Sequence, residues 1–131
     1  MTGDRGEDPG VGASLNVGSA FRDLDVYRLA VEMADRMHRE AARWDSFDRW
    51  SLGLQLVRAA DSVGANIAEG TGRWHVGDRR RLLFVARGSL YEAEHWILRG
   101  EARGRLKSGE ADRLSEIGRA LNGLIKREPP A

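Results

Sequence analysis

Apolar residues recur every three or four positions along most of this chain, which is the spacing of a helix face that packs against a core. The pattern is interrupted where turn-forming residues gather. No stretch alternates apolar and polar residues over the length of a strand. The sequence therefore predicts an all-α chain with four helices, covering about residues 23–44, 48–69 and 78–103 and a last segment that starts after Leu106 and ends before Pro129.

The residue types at the ends of these segments indicate caps and turns. The segment Asp45–Asp48 offers N-cap chemistry for the second helix, and Gly70–Gly72 ends that helix because glycine adopts the left-handed cap conformation. Asp78 is the predicted N-cap of the third helix and Gly104 its predicted C-cap. Ser108 is the predicted N-cap of the fourth helix.

Short turns between long helices favour consecutive antiparallel neighbours, so the predicted fold is an up-down-up-down four-helix bundle. Residues 1–19 are rich in Gly, Asp and Ser and lack periodicity, which predicts a disordered tail. We expect residues 20–127 to form one bundle domain and residues 128–131 to form a C-terminal tail.

The second helix is apolar on almost every side, which predicts a buried element, yet one line of polar residues runs along it. A buried polar group left unpaired costs about 1–3 kcal/mol, so such a line needs partners. The third helix offers Glu92 and Glu94, and Arg58 has the charge to pair with either. We expect an interior structural network, with a ligand-binding or catalytic site as the alternative, formed by Glu92, Glu94 and the line Gln55, Arg58, Ser62, Asn66 and Glu69.

Composition narrows the possible partners. The 131 residues carry 21 Lys and Arg against 20 Asp and Glu, a net charge of +1, so any nucleic-acid partner must be recognised by a local cluster. The absence of cysteine excludes disulfides and thiolate chemistry. No secretory leader and no apolar run of about 20 residues is present, so we expect a cytoplasmic protein with no membrane partner.

Basic residues cluster around the turn between the second and third helices. Guanidinium groups bind phosphates in a bidentate manner, and an exposed tryptophan stacks on unpaired bases. The cluster is therefore the candidate site for RNA or DNA, with plain surface or subunit-interface packing as the alternative. Its residues are Arg73, Trp74, Arg79, Arg80, Arg81 and Arg87, with His75 nearby.

Metal and catalytic chemistry find little support in the sequence. Glu92 and His95 have the ExxH spacing of di-iron bundles, but that chemistry needs a second ExxH, and Glu110 and Glu116 are each followed by Arg instead. No arrangement of a nucleophile and its base is evident. We therefore expect no metal, no cofactor and no enzymatic activity. His38 lies on an apolar stripe and is expected to be a hydrogen-bonded core residue.

Three blocks together resemble a known family. FRDLDVYRLAVEM, LQLVRAADSVGANIAEGTGR and FVARGSLYEAEHWIL are similar to the four-helix bundle proteins encoded in intervening sequences of bacterial 23S ribosomal RNA genes. Close relatives of those proteins are the accessory variability determinants of diversity-generating retroelements. The resemblance covers about residues 21–127. The chain has Gly64, Tyr27 and His38 where the family commonly has proline, tryptophan and an aromatic residue.

The resemblance implies a homopentamer arranged as a barrel around a central channel, with no established enzymatic activity. It also implies that the retroelement branch binds nucleic acid and a reverse transcriptase through basic surfaces. We therefore expect a non-catalytic oligomeric adaptor that binds nucleic acid or a reverse transcriptase. The alternative is a structural protein–protein scaffold without a nucleic-acid role.

Overall fold

The computed structural model of this protein describes residues 19–22 and 24–129, and these residues form helices and turns with no strand among them. Residues 1–18 of the tail predicted at residues 1–19 lie outside the described residues, and Ser19 begins a short helix. The predicted all-α fold is confirmed for the part of the chain that is described. Its elements are α1 (Ser19–Arg22), α2 (Asp25–Ala42), α3 (Ser46–Asp48), a π-helical turn (Arg49–Gly53), α4 (Leu54–Thr71), α5 (Val76–Ala102), a 3₁₀ turn (Glu110–Arg113) and α6 (Leu114–Arg127).

Four helices, α2, α4, α5 and α6, form the bundle. Helix α4 packs along α2 on one side and more extensively along α5 on the other, and α6 packs against both α5 and α2. Because the connections are short, each helix runs back along the one before it, as predicted. The end of α4 meets the start of α5 at Gly70 and Leu82, and the start of α5 meets the end of α6 through Arg79 and Glu128.

The core lies where the four apolar faces meet, and it contains side chains from every bundle helix. Burial of such side chains is the main favourable term in folding, at about 25 cal/mol per Å² of apolar surface removed from water. The ion pair between Arg36 of α2 and Glu110 of the 3₁₀ turn joins two elements beside this core. The largest fully buried side chains are Met37, Leu56, Val63, Ile67, Leu83, Ile97 and Leu121.

The second helix of the bundle begins as predicted, but it contains a π-helical turn. The Asp45 carboxylate accepts a hydrogen bond from the Asp48 backbone N–H at 3.0 Å, and this bond lowers the pKa of Asp45 below its usual 3.8. The π-helical turn then brings Gly53 close to α2, where a Cβ atom would lie 3.3 Å from Ala41 Cβ. The close approach of the backbone at this position therefore favours glycine.

Three of the predicted caps are wrong, and one more is confirmed. The left-handed glycine cap predicted at Gly70–Gly72 is not formed, because α4 ends at Thr71 and its C-cap Gly72 has a φ of −87°. Helix α5 begins at Val76, so Asp78 lies in its first turn, where a negative charge is favourable beside the free N–H groups. The Glu101 carboxylate of α5, rather than Ser108, accepts hydrogen bonds from the N–H groups at the 3₁₀ turn, including Ala111 at 2.8 Å. Gly104 has a φ of 75° and follows Arg103, the C-cap residue of α5, so it ends the helix in the left-handed conformation as predicted.

Helix α4 is continuous through Gly64, the position at which the resembling family commonly has proline. A Cβ atom at Gly64 would lie 3.5 Å from Val31 Cγ2, an ordinary contact distance. A Cβ atom at Gly70, in the same helix, would lie 3.1 Å from Leu82 Cβ and 3.4 Å from the Arg79 carbonyl oxygen. Since both neighbours are held by the backbone of α5, only Gly64 has room for a methyl group.

We expect Gly64→Ala to raise the free energy of unfolding by about 0.5–1 kcal/mol, because glycine is a poor helix former in a helix interior. Gly70→Ala makes the same chemical change in the same helix but meets the backbone-held atoms of α5, so it should give no such gain. Chemical denaturation of the two variants measures this difference. Equal stabilisation by both would contradict the close α4–α5 packing at Gly70.

Candidate nucleic-acid interface

The antiparallel topology gathers charge at one end of the bundle. The start of α2, the turn between α4 and α5, and the end of α6 all lie there. Residues 21–28, 69–81 and 126–128 contain eight Arg and Lys against five Asp and Glu, a net charge of +3 in a chain whose total is +1. We call these three segments the basic end. Its positive charge is therefore local and is offset over the rest of the chain.

Arg79 is a structural residue of the basic end. Its Nε donates to Glu128 Oε1 at 2.9 Å, and its Nη1 donates to the carbonyl oxygens of Trp74 at 2.9 Å and Arg73 at 3.3 Å. The Arg79 and Glu128 side chains are both mostly buried. Arg79 therefore holds the α4–α5 turn against the end of α6, and its guanidinium group already donates hydrogen bonds to groups within the chain.

Arg80 and Arg87 fasten α5 to α6 on either side of an aromatic ring. Arg80 Nη1 donates to the carbonyl oxygen of Ile125 at 3.4 Å, and Arg87 Nη1 donates to Asn122 Oδ1 at 3.1 Å. Their guanidinium carbons lie 5.7 and 4.9 Å from the ring centre of Phe84, within the range of a cation–π contact. Both guanidinium groups keep their charge at the surface while they hold two helices together.

Arg73 and Arg81 are the more available cations of the predicted cluster. Arg81 is exposed and forms no ion pair with any described residue. Arg73 Nη2 lies 2.5 Å from Glu69 Oε2, and this hydrogen bond raises the pKa of Arg73. An exposed ion pair of this kind is worth about 0–1 kcal/mol, so a phosphate competes readily with Glu69 for Arg73.

Trp74 projects from the same turn and is 76% exposed. Its backbone is held by the Arg79 hydrogen bond, so the turn that carries the ring is fixed on the bundle. The structure thus brings together five of the six predicted nucleic-acid residues, and Arg87 lies further along α5. The sequence pattern around the turn did not reveal Arg22, Arg28, Lys126 and Arg127, which the bundle topology adds to the same end.

The polar line of α4 faces inward only at its centre. Ser89 Oγ of α5 donates to Ser62 Oγ at 3.1 Å, and Asn66 Nδ2 donates to the Ser62 carbonyl oxygen at 2.8 Å and to Ser62 Oγ at 3.1 Å. These three side chains are partly buried between α4 and α5. They form a small hydrogen-bonded group that joins α4 to α5.

The prediction of an inward-facing network is wrong for the remaining side chains within one chain. Helix residues are about 100° apart, which places the line a quarter of a turn or more from the direction of the core residues, so its long side chains reach water. No described ion pair joins Arg58 to Glu92 or Glu94; Glu92 instead accepts from Trp96 Nε1 at 3.3 Å. The exposed members are Gln55, Arg58, Glu69, Glu92 and Glu94.

The histidines are also at the surface. His38 is exposed at the edge of a groove, so its predicted place in the core is wrong. His95 is exposed and packs edge-on against Trp96, with ring centres 4.7 Å apart. Among the described residues, no three His, Cys, Asp or Glu side chains are grouped closely enough to hold a metal ion.

Two apolar surfaces remain uncovered in the single chain. Helix α5 presents four exposed apolar side chains, which we call the α5 ridge: Phe84, Val85, Tyr91 and Leu98. Between α2 and α4 lies what we call the α2/α4 groove, formed by two cavities of about 300 and 210 Å³. Its apolar lining includes Tyr27, Val31, Gly64, Ala65 and Ala68 in one cavity, and Ala42, Trp50, Leu54 and Val57 in the other.

None of the described helices combines the length and the apolar character that crossing a membrane requires.

The family described as 23S rRNA-intervening sequence protein matches residues 22–127 of this chain, which is most of its length and all of the bundle. A search of curated proteins finds no match to the chain.

Proposed function

We propose that this chain, which belongs to the 23S rRNA-intervening sequence protein family, is a non-catalytic, self-assembling protein. In this proposal it binds RNA through its basic end. The observation that carries the proposal is the concentration of positive charge and an exposed tryptophan at one end of an otherwise near-neutral bundle. Phosphate contacts supply most of the affinity in such interfaces.

The roles of the cations follow from their contacts. Arg79 and Arg80 hold the end of α6, so they position the interface rather than donate freely to phosphates. Arg73 is exposed in the turn between α4 and α5, and Arg81 is exposed in the second turn of α5. Basic residues at the end of α6 add to the positive potential beside them. RNA binding therefore depends most directly on Arg73 and Arg81.

Self-assembly is supported by the α5 ridge and the α2/α4 groove. A soluble monomer rarely exposes contiguous apolar patches, and these two surfaces lie on different sides of the bundle. Asp35 and Asp61 border one cavity of the groove and Arg49 borders the other, while Glu92, Glu94 and Arg99 are exposed on α5, so both surfaces carry charges of both signs around their apolar side chains. Pairing of different surfaces on successive copies produces a closed ring when the rotation closes.

The family resemblance sets the expected ring at five copies, with the basic end repeated five times around one rim. Repetition raises the local potential without any change in the charge of a single chain. In the narrower retroelement form of the proposal, a reverse transcriptase presents the RNA to this rim. Copurification of that enzyme with the protein checks this form.

We expect the protein to bind structured RNA at low salt and to lose affinity steeply as salt rises. For each copy whose basic end contacts the RNA, the double variant Arg73→Ala/Arg81→Ala should reduce the slope of log affinity against log salt by about 1.4–1.8, because two phosphate contacts are lost. Mobility-shift titrations at several salt concentrations measure both quantities. Leaving Arg79 and Arg80 unchanged avoids loosening α6.

The matched control is Arg39→Ala/Arg103→Ala, which removes the same charge from two exposed side chains at the opposite end of the bundle. It should leave the slope unchanged. The proposal fails if the protein does not bind at low salt or if the control loses as much affinity as the test variant. Cellular partners retained after nuclease treatment, together with absent RNA binding, would favour the protein scaffold instead.

A further inference from the structure

We infer that the RNA bound at the basic end is unpaired there, and that a base of it stacks on the ring of Trp74. This inference rests on the proposed function, since it identifies the kind of RNA that the same site takes. Three features of the α4–α5 turn carry it: the exposure of the ring, the fixed backbone beneath it and the cations around it.

The Trp74 ring is not needed by the fold. It is 76% exposed, and the hydrogen bonds of the turn involve its backbone carbonyl oxygen rather than its side chain. Trp44 and Trp96, in contrast, are partly buried and pack against the core. A large aromatic side chain left in water on a well-fixed turn is available to bind a flat, apolar partner.

The turn is ordered before any ligand arrives. Arg79 donates to the carbonyl oxygens of Arg73 and Trp74, while Glu128 holds the same guanidinium group from the side of α6. The backbone therefore loses little conformational freedom when a base stacks on the ring, which favours binding.

The surroundings of the ring select RNA over an apolar peptide. Arg73 adjoins Trp74 in the sequence, Arg81 follows in the second turn of α5, and both side chains are exposed and carry the charge that phosphates bind. RNA provides both partners in one ligand, since its phosphates bind arginines and its flat bases stack on an aromatic ring.

The same geometry selects unpaired over double-stranded RNA. Bases in an A-form duplex are stacked on each other, and the deep, narrow major groove does not admit side chains. A ring that projects from a helix-to-helix turn therefore reaches the backbone and the base edges of the shallow minor groove of a duplex, but not the faces of its bases. Unpaired bases in a loop or at an end expose their faces, and stacking on an aromatic ring is tolerant of sequence.

The test compares two RNA probes with equal phosphate counts: a short oligoadenylate and a blunt duplex. Trp74→Ala should weaken binding of the oligoadenylate about tenfold and change duplex binding by less than about twofold, because only the single strand loses stacking. Trp74→Phe should keep most of the affinity. Phe47→Ala is the matched control, since Phe47 is also an exposed aromatic residue, at 80%, but lies at the opposite end and outside the α2/α4 groove.

The outcomes separate this inference from the proposed function. If neither probe binds to the unaltered protein, the proposed function fails and the inference fails with it. If both probes bind and Trp74→Ala weakens them equally or not at all, RNA binding stands but stacking on Trp74 is wrong. A change in assembly mass caused by Trp74→Ala, measured by light scattering, would show that the ring is a subunit contact and would overturn the inference.

Discussion

Leu121→Ala is expected to lower the free energy of unfolding by about 2–5 kcal/mol, the usual cost of a large-to-small change in a packed core. Leu121 is 0% exposed and belongs to α6, the last helix of the bundle. The variant removes apolar contacts and leaves a cavity that the surrounding helices fill only in part. Because a small domain is stable by only about 5–15 kcal/mol, this loss is a large share of the total.

Urea denaturation followed by circular dichroism measures the effect, at a protein concentration held constant for all variants. Phe47→Ala is the control, since it removes a still larger apolar side chain that is 80% exposed. It should change the free energy of unfolding by no more than about 0.5 kcal/mol. Similar losses in both variants would mean that α6 does not share the core of the other three helices.

The helices were predictable because apolar residues recur at regular intervals over long segments of the chain. The predicted end of the third helix near Arg103 and the observed end at Ala102 differ by one residue. The π-helical turn at Arg49–Gly53 was not predictable, since one additional residue hardly changes an apolar repeat. Capping of the 3₁₀ turn by Glu101 was also missed, because that contact spans eight to ten residues and depends on how α5 ends.

The polar line of α4 shows the limit of inference from one helix. Spacing placed its residues correctly on one face, but spacing alone does not state how far that face lies from the core. Ser62 and Asn66 are close enough to α5 to be partly buried, and Arg58 is not. Apolar side chains on the outer side of α4, such as Leu54 and Val57, led to the expectation of a fully buried helix, whereas they line the α2/α4 groove.

The sequence locates the basic cluster, but it does not show which arginines hold the fold together and which are free to bind RNA. Consecutive arginines at the start of α5 look equivalent in the sequence. In the structure, Arg79 pairs with Glu128, which is 49 residues away, whereas Arg81 points into solvent. Only the contact with the end of α6 distinguishes a structural arginine from an available one, and this distinction determines which variants test RNA binding.

Tyr91→Glu is expected to abolish the proposed self-assembly into a ring. Tyr91 is 60% exposed near the centre of the α5 ridge. If this ridge enters the α2/α4 groove of the next copy, the substitution places an unpaired carboxylate in an apolar contact, which costs several kcal/mol per interface. We therefore expect the concentration needed for assembly to rise by at least about a hundredfold.

Sedimentation velocity measures the outcome: the unaltered protein should sediment at five times the 14.5 kDa chain mass and the variant as a single chain. Circular dichroism should show the same helix content in both, because the exposed Tyr91 side chain is not needed by the bundle core. Ser108→Glu adds the same charge at an exposed position off the ridge and should leave the assembly intact. A single-chain mass for the unaltered protein, or normal assembly of Tyr91→Glu, would rule out the ridge as the subunit contact.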